Sequence, residues 1–172
     1  VQRRQMTTVL APNVYNIAIN GSFDDAQAHV KRMFSDPLVT DKFQLSAVNS
    51  INWARLMAQV VYYFAAALQS SGPDRKVAFS VPTGNFGDIF AGHVARMMGL
   101  PIETLTIATN ANDILARTVS SGAYETRGVM ATSSPSMDIQ VSSNFERYLF
   151  EASGRDATSI RRMRDQLKQG GR

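Results

Sequence analysis

The stretch "SVPTGNFGDIF" (residues 80–90) places Pro82, Gly84 and Gly87 between an apolar run and an amphipathic one. Two physical readings fit it. A plain turn joining a strand to a helix needs such breakers. A phosphate cradle needs them too, because glycine lets backbone N–H groups approach a ligand closely and a helix starting near Asp88 points its positive end at the loop. No Gly-Lys-Ser/Thr follows, so the nucleotide P-loop is excluded, and the dinucleotide fingerprint does not fit either. Asp88 is expected at a helix start, yet beside a dianion it is repelled unless it points away.

A second cluster is "SAVNSINWAR" (46–55), where Asn49, Ser50 and Asn52 precede Trp53 and Arg55. Asn and Ser cap helices, but three such residues exceed what one cap requires. Arg55, one turn on, suits either an external salt bridge or an anionic group. The third stretch, "TSSPSMDIQVSSNFER" (132–147), is dense in serine, with Pro135 and Asp138, and reads as a loop ordered by its own hydrogen bonds. Met137 and Phe145 read as packing residues. His29, beside Lys31 and Arg32, reads as solvated, and His93 as a helix-surface or core residue.

Whole-chain composition narrows the chemistry. The chain has 172 residues, 44% hydrophobic and 19% charged, which suits one globular domain with a core. With no cysteine and two histidines, disulfides and cysteine- or histidine-rich metal sites are excluded. The longest apolar candidate, 60–68, is too short to span a membrane and contains Tyr62 and Tyr63. The net charge of +4 sits mostly in "RRMRDQLKQGGR" (161–172). That run reads as a solvated basic helix, since a nucleic-acid surface would add interleaved aromatics or a known motif. No signal peptide is visible, and a chain starting at Val1 reads as cut from something longer.

The elements that must position these loops alternate. Strands are predicted at 13–19, 43–48, 76–81 (as a buried strand) and 103–109. Helices are predicted at 22–34, 51–68, 88–99, 112–122, 143–154 and about 156–168. Ser22 is expected to cap the first helix, Gly99 and Gly122 to stop two others, and Ser143 with Glu146 to form a capping box. Alternation of this kind predicts a parallel sheet covered by helices. Right-handed crossovers then bring "AVNSIN", "VPTGNFGD" and "ATNANDI" to one sheet edge.

Taken together, "SAVNSINWARLMAQVVYYF", "VPTGNFGDIFAGHVARMMGLPI", "IATNANDIL" and "TSSPSMDIQVSSNFER" resemble the threonine synthases, over roughly residues 13–150. The resemblance implies an α/β fold: the large-domain portion of a fold-type-II pyridoxal-phosphate enzyme. It implies a lyase of threonine biosynthesis that converts O-phosphohomoserine and water to threonine and phosphate, in a cytoplasmic setting, with no nucleic-acid or membrane partner. Carried over, Gly84, Asn85, Phe86, Gly87 and Asp88 hold the phosphate of pyridoxal 5'-phosphate. Asn49, Ser50, Asn52 and Arg55 are implied near the substrate. The family forms its Schiff base through a lysine in a Phe-Lys-Asp context. Lys31, Lys42, Lys76 and Lys168 all lack that context, so no catalytic residue is assigned. Residues 1–172 are therefore expected to be one portion of the enzyme, completed by the remainder of the same chain and inactive alone. A non-catalytic phosphate-binding relative and another fold-type-II lyase are the alternatives.

Overall fold

The computed structural model describes residues 4, 6–21, 23–49, 52–70, 72 and 74–170. By its internal contacts the chain divides into two units, residues 1–43 and 44–172. The first contains α1 (Phe23–Ser35) and the one-turn α2 (Pro37–Thr40). Asp24 and Asp25 sit in the first turn of α1 and Arg32 in its last, complementing the helix dipole. Asp36 caps α2 by accepting from the Leu38 amide at 3.0 Å.

The second unit contains α3 (Trp53–Ser70), β1 (Val77–Pro82), α4 (Gly87–Met97), β2 (Ile102–Ala108), α5 (Ile114–Ser121), a 3-10 turn (Pro135–Met137), α6 (Phe145–Ala152) and α7 (Ala157–Gly170). β1 and β2 pair in parallel, with Phe79 opposite Leu105 and Val81 opposite Ile107. The Thr83 amide carries the pairing one step beyond β1 by donating to the Ala108 carbonyl at 2.8 Å. Both strands therefore end at one edge, and the loops at 83–86 and 109–113 leave from it. Gly99 and Gly122 follow α4 and α5 with φ of 105° and 75°, the left-handed conformation expected at those stops.

The core lies between α3, α4 and the sheet. Leu56, Val60, Tyr63 and Ala67 of α3 are buried, as are Ile89, Phe90, Ala91 and Ala95 of α4. Gly92 permits this approach: a Cβ there would lie 2.6 Å from Tyr63 Cε1. The Tyr63 ring meets Phe79 of β1 edge-on at 4.8 Å, so α3 and β1 share one aromatic contact.

Three expectations change. The strands predicted at 13–19 and 43–48 are absent; both segments are irregular, and Tyr15 and Ile17 are 81% and 87% exposed. β-Branched and aromatic residues favour a strand only where a neighbouring strand takes up their backbone hydrogen bonds, and neither segment pairs with a described strand. β1, expected to be buried on both faces, alternates instead. Val77, Phe79 and Val81 turn inward while Ala78, Ser80 and Pro82 are exposed, because only one face of this two-stranded sheet is covered by described residues. The basic helix α7 agrees with its reading: Ile160 is buried and Arg161, Arg162 and Arg164 are exposed.

Candidate functional site

The loop after β1 turns at Phe86, whose φ of 61° is left-handed. A bulky residue adopts that conformation only at a cost. Burial offsets it here: the Phe86 ring is 5.1 Å from Phe145, edge-on, and 5.6 Å from Tyr148. Glycine would meet the backbone requirement, but it would lose the anchor. Gly84 serves a different need, which is space, whereas a Cβ on Gly87 would make only ordinary contacts. A Cβ on Gly84 would sit 3.1 Å from Met137 Cα and 3.4 Å from the Ser136 carbonyl oxygen. A Cβ on Gly87 would meet Leu56 Cδ2 at 3.4 Å and Asn144 Nδ2 at 3.5 Å.

The carbonyls of this loop are used. Ser142 Oγ donates to the Gly84 carbonyl at 2.8 Å. The Asn85 carbonyl accepts from the Asn144 amide at 3.1 Å and from Asn144 Nδ2 at 3.0 Å. Ser143 Oγ donates to Asn85 Oδ1 at 3.0 Å, and the Phe86 carbonyl accepts from the Phe90 amide at 3.1 Å. The amides behave oppositely. Among the described residues, those of Gly84, Asn85, Phe86, Gly87 and Asp88 donate to no protein acceptor. Five adjacent N–H groups are thus left over at the positive end of an 11-residue helix, the arrangement that takes an anion without any cationic side chain.

Asp88 stands at that end. Burial raises its carboxyl above the ordinary carboxylate value, an effect partly offset by the Tyr63 hydroxyl. The same hydroxyl, itself held above the usual phenol range by burial and then by Asp88, donates to the Asp88 backbone carbonyl at 2.9 Å. A carboxyl biased toward its neutral form repels a nearby anion less.

The polar stretch at 46–55 is placed differently. Asn52 caps α3: its Oδ1 accepts from the Ala54 amide at 2.9 Å and its Nδ2 donates to the Ala47 carbonyl. The Asn49 carbonyl accepts from the Asn52 amide at 3.0 Å. Arg55 is exposed, with one long bond of 3.4 Å to the Val48 carbonyl. Ser50 lies outside the described residues. The side-chain hydrogen bonds of Asn52 and Arg55 are thus local to residues 47–54. The residues of α3 that do reach Gly87 come later: Leu56 and Gln59, whose Oε1 is buried without a partner 3.6 Å from where a Gly87 Cβ would be.

The serine-rich loop is a closed network. Asp138 Oδ1 accepts from Asn110 Nδ2 at 2.8 Å, Asn112 Nδ2 at 3.0 Å and Thr132 Oγ1 at 2.7 Å. Its Oδ2 accepts from the Thr132 amide at 2.8 Å. Thr132 first, then its amide and the two asparagines, hold this carboxyl below its ordinary value. The expectation of a self-ordered loop agrees. The capping box does not form: the N-cap of α6 is Asn144, without a side-chain cap bond, and Ser143 reaches back to Asn85.

Ser142, Ser143 and Asn144 are what sequence reasoning missed. "SSN" before a helix looks like a cap, and the signal that distinguishes it is tertiary. Asn144 is 0% exposed, a depth that a solvent-facing cap does not need. His93, read as surface or core, is half-buried between Phe90 and Tyr148, at 6.0 and 5.2 Å.

No family model matches the chain. It is 58% identical over 172 residues to the threonine synthase of Pseudomonas aeruginosa, covering 100% of this chain and 37% of that protein. It is 51% identical over 175 residues to that of Corynebacterium glutamicum, covering 99% and 36%. Among solved structures, a pyridoxal-phosphate-bound threonine synthase from Brucella melitensis superposes with a TM-score of 0.88 at 65% identity, covering 99% of this chain and 37% of that one. Yeast threonine synthase superposes at 0.82 with 47% identity, covering 99% and 35%.

Proposed function

Over its whole length the chain is a homologue of the threonine synthases, spanning about 37% of theirs, and from that premise we propose that residues 84–88 anchor the phosphate of pyridoxal 5'-phosphate in an enzyme that makes threonine and phosphate from O-phosphohomoserine and water. The observation that carries the reading is the row of five unpaired amides, Gly84 to Asp88, at the start of α4. Phosphate fits it on two counts. The donors are neutral, preoriented and numerous, and the loop's carbonyls are engaged by residues 142–144 and by the first turn of α4. When bound, the cofactor supplies the electron sink for the chemistry.

This chain's residues then hold and orient. The 84–88 amides take the phosphate oxygens, and the α4 dipole adds to their field. Burial raises the Asp88 carboxyl above its ordinary value, which lessens its opposition to a nearby anion. Phe86 keeps the turn closed by its aromatic packing. Asn49, Ser50, Asn52 and Arg55 are proposed to serve the substrate end. Arg55 does so with the part of its guanidinium not engaged by Val48, and Asn52 by fixing the start of α3.

The lysine that carries the cofactor is proposed to be none of those in this sequence. Lys76 pairs with Glu103 at 3.6 Å, at the end of β1 remote from the loop. Lys31 donates to Gln27 Oε1 at 3.4 Å. A cytoplasmic setting belongs to the same proposal; no helix among the described residues is long and apolar enough to cross a membrane.

Gly87→Val in the full-length protein tests the cradle. The branched side chain would crowd Leu56 and Asn144, and pyridoxal-phosphate affinity is expected to fall at least about tenfold, the worth of one charge-assisted hydrogen bond. Unchanged affinity by equilibrium dialysis would overturn the reading. Borohydride reduction of the loaded protein followed by peptide mapping tests the lysine: a specific adduct on Lys31, Lys42, Lys76 or Lys168 would contradict it.

A further inference from the structure

We propose that Ser142 and Asn144 are positioning residues that aim the amides of Asn85 and Phe86 at the bound anion; this rests on the phosphate-cradle reading above. The argument is one of peptide geometry. The peptide unit is planar and trans, so its C=O and N–H point in opposite directions. The carbonyl of residue 84 and the amide of residue 85 belong to one such unit. Ser142 Oγ holds the Gly84 carbonyl at 2.8 Å, so the Asn85 N–H is sent the other way. The next unit repeats the arrangement. Asn144 grips the Asn85 carbonyl twice, through its backbone N–H at 3.1 Å and its Nδ2 at 3.0 Å, and the Phe86 N–H is sent away from α6.

These two amides precede α4, so no helical geometry orients them. Gly84 by itself sets few limits on the orientation of the peptide units beside it. Ser142 and Asn144 lie 58 and 59 residues further on, and both are themselves held. The Ser142 amide donates to the Tyr124 hydroxyl at 2.8 Å, and Asn144 Oδ1 accepts from Arg147 Nε at 3.0 Å. Both are buried, so the two donor side chains are themselves shielded from bulk water. Preorientation of this kind strengthens anion binding because nothing has to reorganise when the anion arrives.

The test separates aiming from general stability. In the full-length protein stripped of cofactor, equilibrium dialysis measures the affinity for pyridoxal phosphate and for pyridoxal, which lacks the phosphate. Ser142→Ala removes one hydroxyl. It is expected to weaken pyridoxal-phosphate binding about tenfold and to leave pyridoxal binding within about twofold. Asn144→Asp replaces the donor with a carboxylate facing the Asn85 carbonyl and is expected to do so more strongly. Ser142→Ala carries the test if Asn144→Asp does not fold. Ser153→Ala loses a comparable bond, to the Phe150 carbonyl at 2.9 Å, away from the loop, and should leave the ratio of the two affinities unchanged. An unchanged ratio in Ser142→Ala, with the fold intact by circular dichroism, overturns the proposal. Gly87→Val tells the two ideas apart. If it abolishes the phosphate preference while Ser142→Ala does not, the positioning role alone fails. If neither changes it, the cradle itself fails.

Discussion

Two polar loops lie against each other beside the β1–β2 pair and end in opposite states. The loop at 84–88 has few reactive side chains and an unspent row of backbone donors. The loop at 131–142 is rich in hydroxyls, and the carboxylate near its centre is saturated: Asp138 takes four donors from Asn110, Asn112 and Thr132. Side-chain chemistry is therefore a poor guide to where a ligand sits in this molecule. Buried polar groups that satisfy one another build a rigid wall; groups that the fold leaves unsatisfied are available for binding. The wall has a use, since its backbone at Ser136 and Met137 presses on Gly84, and the Ser142–Asn144 segment that continues it engages the carbonyls of the open loop.

The largest expected effect comes from breaking the open loop at its anchor. Phe86→Ala removes a buried ring packed on Phe145 and Tyr148 and should cost about 3–5 kcal/mol of stability in urea denaturation, with phosphate binding lost as the turn relaxes. A cost below about 1 kcal/mol would mean that the turn is held by something else. Gly84→Ala tests the contact between the two loops. Its Cβ would press on Met137 Cα at 3.1 Å, a backbone atom that cannot rotate aside, and a loss of about 1–3 kcal/mol is expected from overpacking.

Asp138→Asn gives the smallest effect and sharpens the contrast most. The Asp138 carboxyl titrates lower in the folded chain than in the unfolded one, chiefly through Thr132. Its stabilisation is therefore complete above the ordinary carboxylate value of about 4 and is lost as pH falls through the depressed folded value. The variant should be less stable than the parent at pH 7, and the two should converge on acidification. It should bind pyridoxal phosphate about as well as the parent, because the carboxylate is taken up by Asn110, Asn112 and Thr132 and makes no bond to residues 84–88. Parallel pH–stability curves, or a large loss of affinity, would show that the closed loop does more than support.

Local signals alone place much of this molecule. The β1–α4–β2–α5 succession is legible from short apolar runs, amphipathic runs and the glycines at 99 and 122, because hydrophobic period and left-handed stops are properties of neighbouring residues. The ambiguity of the glycine loop is legible too, along with its position between a strand and a helix. Four motifs together carry the family resemblance. Tertiary structure alone decided the rest. Residues 13–19 and 43–48 have strand-forming side chains but no described strand beside them, and a strand exists only as a pair. Ser143 has the spacing of a cap but bonds Asn85, because the chain returns past the loop at that point. Asn52, suited by type to a cap or to a site, caps α3. The direction of the Asn85 and Phe86 amides depends on Ser142 and Asn144, nearly sixty residues away. Composition and spacing state which groups exist; which of them remain unpaired depends on what the folded chain places opposite each one, and no local pattern contains that information.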